Sequence, residues 1–158
     1  MFFHVKELVN YKYPYNHLLT MAEEYIIDTS IWVDLYEDRK GYNNEPLGDY
    51  AFKLLVKIKA KESTIVLTDF LIKELETLYP IAEINGMFKP FEKIIKKIIA
   101  TEKQREEAKK IAKERDVPAG DALHAIVARD NDLILVTRDR HFRKLEDISK
   151  HYKPEELI

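Results

Sequence analysis

The sequence of 158 residues contains no cysteine. Disulfide bonds, zinc–thiolate sites and thiol nucleophiles are therefore excluded, and a metal ion could be bound only through oxygen or imidazole ligands. The chain has only 4 glycines and 6 prolines, and no tract rich in these residues marks a linker. No run of about 18 apolar residues occurs, and no basic leader with an apolar stretch begins the chain. From these absences we expect a cytoplasmic protein without a membrane anchor.

The composition is typical of a globular protein. Hydrophobic residues make up 46% and charged residues 34% of the chain, a balance that disordered segments do not have. The length suffices for one well-buried core and is short for two, so we predict a single domain over residues 24–158 after an N-terminal extension, residues 1–23. The net charge of −2 argues against a surface that binds nucleic acid throughout, but it leaves room for a local basic patch.

Short apolar runs and helical stripes of apolar residues alternate along the chain, which predicts an α/β fold. Strands are predicted at residues 25–27, 65–67 and 133–136, and an edge strand is predicted around residues 148–152. From Phe88 to Ile99 the apolar residues recur at helical spacing. This stretch is therefore predicted to be a helix whose lysines face mostly solvent.

Three aspartates stand where predicted strands end or predicted helices begin. Asp28 follows the first strand, Asp121 opens a helix, and Asp139 follows the strand at residues 133–136. In an open parallel sheet all three would lie at the carboxyl edge, where such folds bind their ligands. Taken singly, each position also suits a helix cap, a role for which Asp, Ser and Thr are favoured.

A glutamate could join this group, but the sequence offers two candidates. Glu74 and Glu76 lie on opposite edges of the apolar stripe of the helix predicted after Thr68, so periodicity does not choose between them. A histidine, His124, lies one turn beyond Asp121 on the same helix face. Because a lone histidine at such a place is usually packed or surface-exposed, we assign it no catalytic role.

Two parts of the sequence resemble the PIN-domain ribonuclease family, whose best-known members are the VapC toxins of toxin–antitoxin pairs. The segment GDALHAIVARD, followed by LVTRDRHF, resembles the C-terminal half of these domains. The triplet Asp28-Thr29-Ser30, after a short apolar strand, resembles their opening motif. The resemblance covers residues 25–152. It implies a three-layer, flavodoxin-like parallel sheet of strand order 3-2-1-4-5 with flanking helices, and it places the third strand at residues 98–100.

The same resemblance implies a metal-dependent endoribonuclease and its site. The family pattern selects Glu74 over Glu76, so the implied catalytic residues are Asp28, Glu74, Asp121 and Asp139. Carboxylates gathered in one pocket repel one another unless a cation neutralises them. The three aspartates would therefore hold Mg²⁺ or Mn²⁺, hard cations that prefer oxygen ligands. The supporting hydroxyl groups would be those of Ser30 and Thr137.

RNA is the substrate that the resemblance implies, and an antitoxin protein is a partner that it suggests. The candidate phosphate contacts are Arg138, Arg140 and Arg143. Lysines at residues 93–97 could add an RNA-facing patch, although a solvated helix face is the commoner explanation. Two other functions stay open. One is a non-catalytic module of the same fold that acts through a protein partner, and the other is a Mg²⁺-dependent phosphatase, although Asp28-Thr29-Ser30 lacks the second aspartate of the dehalogenase motif.

The family resemblance and the aromatic residues of the extension both favour a homodimer. Tyr11, Tyr13 and Tyr15 could stack on RNA bases, but they more often pack on their own domain or on a partner subunit. Light scattering at micromolar concentration should therefore report the mass of a dimer. A monomer mass that removal of residues 1–20 leaves unchanged would contradict this prediction.

Overall fold

The computed structural model describes residues 23–158, so the predicted extension lies outside the described residues except for Glu23. The strands are β1 (Glu24–Ile27), β2 (Thr64–Thr68), β3 (Ile95–Ile98), β4 (Ile134–Val136) and β5 (His151–Tyr152). The α-helices are α1 (Thr29–Glu37), α2 (Leu47–Ala60), α3 (Asp69–Glu76), α4 (Ile81–Phe88), α5 (Glu102–Arg115) and α6 (Ala119–Asp130). Short 3-10 helices span Lys89–Ile94, Arg140–Leu145 and Pro154–Glu156. Within this part of the chain, no helix is both long enough and apolar enough to cross a membrane.

The five strands form one sheet in the order β3-β2-β1-β4-β5, and every neighbouring pair is parallel. This confirms the predicted α/β fold and the strand order 3-2-1-4-5. The chain moves outward from β1 to β2 and β3, and it then returns to the other side of β1 as β4. The carboxyl ends of β1 and β4 are therefore the point where the strand order reverses, the usual ligand-binding place in open parallel sheets.

Helices cover the sheet on both faces, which confirms the three predicted layers. Ile27 of β1 belongs to a hydrophobic cluster that includes Trp32 of α1, whereas Ile26 belongs to a second cluster that includes Ile126 of α6. All four side chains are fully buried. A central parallel strand is apolar on both faces, which explains why Tyr25-Ile26-Ile27 is a continuous apolar run in the sequence.

The helix predicted from Phe88 to Ile99 is wrong. This stretch contains the end of α4, a 3-10 helix and β3, and β3 begins at Ile95 rather than at residue 98 as the resemblance implied. Pro90 lies in the first turn of the 3-10 helix, where it cannot donate a backbone hydrogen bond and so favours a break in the α-helix. The β-branched isoleucines that follow suit a strand.

The lysines of this stretch lie at the edge of the sheet. Lys96 and Lys97 are exposed on β3, and the Lys96 ammonium lies 3.5 Å from Glu24 Oε1 on β1. Lysines on an edge strand discourage pairing with the sheet of another molecule. This structural role applies to Lys96 and Lys97, and the RNA-facing patch at residues 93–97 stays a prediction.

Candidate active site

Asp28 lies at the end of β1, beside the end of β4. Its backbone N–H donates to the carbonyl of Val136 at 2.9 Å. The residue is 5% exposed, and its Oδ2 accepts hydrogen bonds from Ser30 Oγ at 2.8 Å and from Thr137 Oγ1 at 2.9 Å. Although Asp28 occupies the N-cap position of α1, its side chain bonds to none of the helix N–H groups. Helix capping therefore does not explain this aspartate.

Thr137 joins the ends of β1 and β4 through its buried hydroxyl group. The Oγ1 atom donates to Asp28 Oδ2 and accepts from the backbone N–H of Asp139 at 3.0 Å. Asp139 Oδ1 in turn accepts from the backbone N–H of His141 at 2.9 Å, so Asp139 does cap the 3-10 helix that follows it. Only Oδ1 takes part in this cap.

Asp121 lies in the first turn of α6, close to Glu74 of α3. A Cβ atom added to the neighbouring Gly120 would meet Glu74 Oε1 at 2.7 Å, so the glycine leaves the space that the glutamate occupies. Glu74 Oε2 accepts a hydrogen bond from Thr29 Oγ1 at 2.5 Å, whereas Glu76 is exposed. The structure therefore places Glu74, and not Glu76, beside Asp121.

Electrostatic repulsion is concentrated at Asp121. Burial, followed by the negative charges of Asp139, Asp28 and Glu74, raises the pKa of this carboxyl to about 7. Its Oδ2 atom is buried and has no hydrogen-bond partner among the described residues. The carboxylates predicted from the sequence thus interact across one acidic pocket.

His141 also belongs to this pocket, and the sequence analysis gave it no role there. Its Nδ1 lies 2.8 Å from Asp139 Oδ1 and 3.3 Å from Asp121 Oδ2. One ligand atom from each of these three side chains lies within 4.8 Å of the others. Protonated imidazole can donate to a carboxylate, whereas neutral imidazole can offer a lone pair to a cation. An imidazole two residues after a strand-terminal aspartate was the signal available in the sequence.

A second histidine, His124, is fully buried on α6. Its ring centroid lies 4.4 Å from that of Phe70, and its Nδ1 lies 3.5 Å from Asp28 Oδ1. Removal from water lowers the pKa of His124, although the charges of Asp28 and Glu74 oppose this effect. Burial therefore favours the neutral form of the ring.

The chemistry of this pocket fits a hard divalent cation. The available donors are carboxylate oxygens and one imidazole, and they converge on a buried oxygen of Asp121 that has no hydrogen-bond partner among the described residues. Oxygen-rich sites of this kind suit Mg²⁺ or Mn²⁺. A bound cation would also relieve the repulsion that raises the pKa of Asp121.

The three candidate arginines differ in their surroundings. The side chain of Arg138 is only 15% exposed, and its guanidinium contacts Asp34 at 3.2 Å and Glu155 at 2.8 Å. It also lies over the ring of Tyr50, 5.8 Å from the centroid. By contrast, Arg140 and Arg143 are exposed on the 3-10 helix after Asp139 and form no ion pair within residues 23–158. Unlike Arg138, these two arginines have no carboxylate partner among the described residues that a ligand would have to displace.

A family model for the PIN domain matches residues 25–148, and the chain therefore belongs to the PIN domain family. PIN domains are generally nucleases. No curated protein is significantly similar to this sequence.

Several solved structures share the fold. PAE2754 from Pyrobaculum aerophilum is 22% identical with a TM-score of 0.53, and the match covers 87% of this chain and 93% of that chain. A toxin–antitoxin complex from Klebsiella pneumoniae matches at 18% identity and a TM-score of 0.52, over 82% and 97% of the two chains. VapBC2 from Rickettsia felis, bound to a DNA fragment from their promoter, matches at 19% identity and a TM-score of 0.59, over 82% and 98%. At these identities the likeness establishes the fold.

Replacement of Asp121 by asparagine should stabilise the metal-free protein at pH 8 more than at pH 4.5. Because the folded-state pKa of about 7 lies above the ordinary aspartate value of 3.8, the ionised carboxylate disfavours folding, and this penalty grows as the pH rises between these two values. Asparagine cannot ionise. After allowance for solvent screening, the expected gain at pH 8 is on the order of 1–2 kcal/mol, measured by urea unfolding in EDTA.

Asp132→Asn provides the matched control, because Asp132 is exposed in a turn with a positive φ of 52° that asparagine adopts readily. The control should show little dependence on pH. If Asp121→Asn were less stable than the parent protein at both pH values, the burial and repulsion of the charged carboxylate would not be the dominant effect at this residue.

Proposed function

We propose that the protein is a metal-dependent endoribonuclease that hydrolyses phosphodiester bonds in RNA. The observation that carries this proposal is the acidic pocket at the carboxyl edge of a PIN-domain sheet, where burial and then the negative charges of neighbouring carboxylates raise the pKa of Asp121 to about 7. A pocket that disfavours its own negative charge is suited to a cation and to the phosphate that the cation attracts.

The proposed ligands of Mg²⁺ or Mn²⁺ are Asp28, Asp121 and Asp139, with Glu74 at the rim of the pocket. A cation bound there supplies positive charge for the phosphate and activates water as a nucleophile. Hydroxyl groups of the chain orient the carboxylates. Ser30 and Thr137 both donate to Asp28 Oδ2, and Thr29 donates to Glu74 Oε2. These contacts hold the carboxylates in place before a ligand arrives, which reduces the reorganisation that binding requires.

RNA would be bound by the exposed arginines beside the pocket. Arg140 and Arg143 lie on the 3-10 helix that Asp139 caps, so a phosphate near Asp139 is within the range of their positive charge. Arg138, which the sequence also suggested, lies outside this set because Asp34 and Glu155 already pair with it. It serves instead to join β4, α1 and the C-terminal 3-10 helix.

The biological role that we propose is that of a toxin with an antitoxin partner. Support comes from the fold shared with a toxin–antitoxin complex and with VapBC2. A small reading frame next to the gene for this chain is the feature to look for. A homodimer remains part of the proposal, as the family resemblance implies.

Cleavage of single-stranded RNA by the purified protein should require Mg²⁺ or Mn²⁺ and should stop in EDTA. Asp28→Asn, Asp121→Asn and Asp139→Asn should each lower the cleavage rate by about 100-fold or more, because an amide oxygen is a poorer ligand for a hard cation than a carboxylate. Gel analysis of a labelled RNA measures the rate, and circular dichroism shows whether each variant is folded.

Glu74→Gln and Glu76→Gln form a matched pair on α3, since only Glu74 faces the pocket. The first change should slow cleavage and the second should not.

Cleavage that persists in EDTA would rule out the metal mechanism. Release of phosphate from a monoester without cleavage of RNA would favour the phosphatase, and binding of a protein without either activity would favour the non-catalytic module.

Arg140→Ala and Arg143→Ala should weaken RNA binding and its dependence on salt. Each phosphate contact on single-stranded RNA contributes about 0.7 to the slope of log affinity against log salt concentration, so each variant should lower the slope by roughly that amount. Fluorescence anisotropy in EDTA measures binding without cleavage. Lys59→Ala and Lys61→Ala are the controls, because these exposed lysines lie at the end of α2, before the start of β2 and away from the carboxyl ends of the strands. Equal loss of slope in the controls would refute a specific role for the two arginines.

A further inference from the structure

His124 is a polar residue among the otherwise apolar buried residues of its helix. Seven consecutive residues of α6, from Ala122 to Ala128, are buried, and the other six are alanine, leucine, isoleucine or valine. Neither ring nitrogen of His124 has a hydrogen-bond partner among the described residues. Buried polar groups are nearly always hydrogen-bonded in folded proteins. The imidazole of His124 therefore indicates a hydrogen bond that forms in another state of the pocket.

The partner available for that contact is Asp28. Within the described part of the chain, Asp28 is the acidic side chain within 4.0 Å of the His124 ring, and the approach joins Nδ1 to Oδ1 at 3.5 Å. The other carboxyl oxygen, Oδ2, already accepts from Ser30 and Thr137. The oxygen that lacks a hydroxyl donor is therefore the one that faces the histidine. Phe70 packs on the ring and restricts its orientation.

We propose that His124 is a positioning residue for Asp28, whose Oδ1 accepts a hydrogen bond from His124 Nδ1–H when the pocket holds its cation. This inference rests on the proposed function. A distance of 3.5 Å is longer than a well-formed N–H···O hydrogen bond, so the two groups must approach by about 0.5 Å. Donors on both oxygens would then fix the plane of the carboxylate, as hydrogen-bond donors commonly do for carboxylates that bind metals.

The test compares two nearly isosteric replacements. His124→Asn keeps an N–H donor close to the position of Nδ1, whereas His124→Leu removes the donor and keeps a side chain of similar size. Binding of Mn²⁺ to the full-length protein is measured without RNA, by calorimetry and by the electron paramagnetic resonance signal of free Mn²⁺. We expect His124→Leu to weaken Mn²⁺ binding about tenfold or more and His124→Asn to stay within about threefold of the parent protein.

Asp28→Asn identifies the binding that depends on this pocket. If Mn²⁺ binding is sensitive to Asp28→Asn but unchanged in His124→Leu, His124 does not position Asp28, and the proposed function stands without it. If His124→Asn binds as weakly as His124→Leu, packing rather than the donor is responsible, and the inference is overturned. If the parent protein binds no Mn²⁺ at all, both the proposed function and this inference fail.

A spectroscopic measurement on the parent protein tests the inference even if His124→Leu does not fold. In a protein labelled with ¹⁵N-histidine, the nitrogen chemical shifts distinguish the two neutral tautomers. We expect the His124 proton on Nδ1 in the Mg²⁺-loaded protein, because only that tautomer can donate to Asp28. A proton on Nε2 would overturn the inference, since Nδ1 would then present a lone pair to the carboxylate.

Discussion

The concentration of negative charge at the ends of β1 and β4 is the constraint on which the rest of the site depends. Carboxylates in a partly buried pocket lose hydration and repel one another, so the fold must hold them together against both effects. Hydroxyl groups do this for Asp28 and Glu74, and the backbone of the following 3-10 helix does it for Asp139. Asp121 has no such donor on its buried Oδ2, and its pKa is raised. The pocket is therefore least stable when all of its carboxylates are ionised, and a bound cation would neutralise that negative charge.

The sheet makes this arrangement possible because its apolar strands separate two hydrophobic clusters. Strands β1 and β4 are neighbours in the sheet but lie far apart in the chain. The hydroxyl of Thr137 bridges that separation to Asp28, and it does so where the strand order reverses. Burial of the apolar residues around it excludes water from the bridge, which strengthens the hydrogen bond and also raises the penalty for leaving either group unpaired.

Local patterns in the sequence predicted the strands β1, β2 and β4 and the positions of Asp28 and Asp139 after two of them. The strand order and the choice of Glu74 came from the family resemblance. Strands apolar on both faces are visible as runs such as Tyr25-Ile26-Ile27, and an aspartate that follows such a run must lie near an edge of the sheet. Features that depend on distant contacts were not accessible. β3 was predicted as a helix because its isoleucines also match helical spacing, and only pairing with β2 identifies it as a strand. The spacing of His141 from Asp139 was visible in the sequence, but its contact with Asp121 on another helix was not.

Arg138 and Arg140 demonstrate why charge in a sequence does not by itself identify a nucleic-acid contact. They lie on either side of Asp139, yet Arg138 turns into an ion-pair network with Asp34 and Glu155 while Arg140 stays exposed. A guanidinium held by two carboxylates must give up those contacts before it can bind a phosphate, whereas an exposed one loses only hydration and side-chain freedom. Basic residues that hold the fold together and basic residues that are available to a ligand therefore alternate within one short segment, and the partners of each side chain distinguish them.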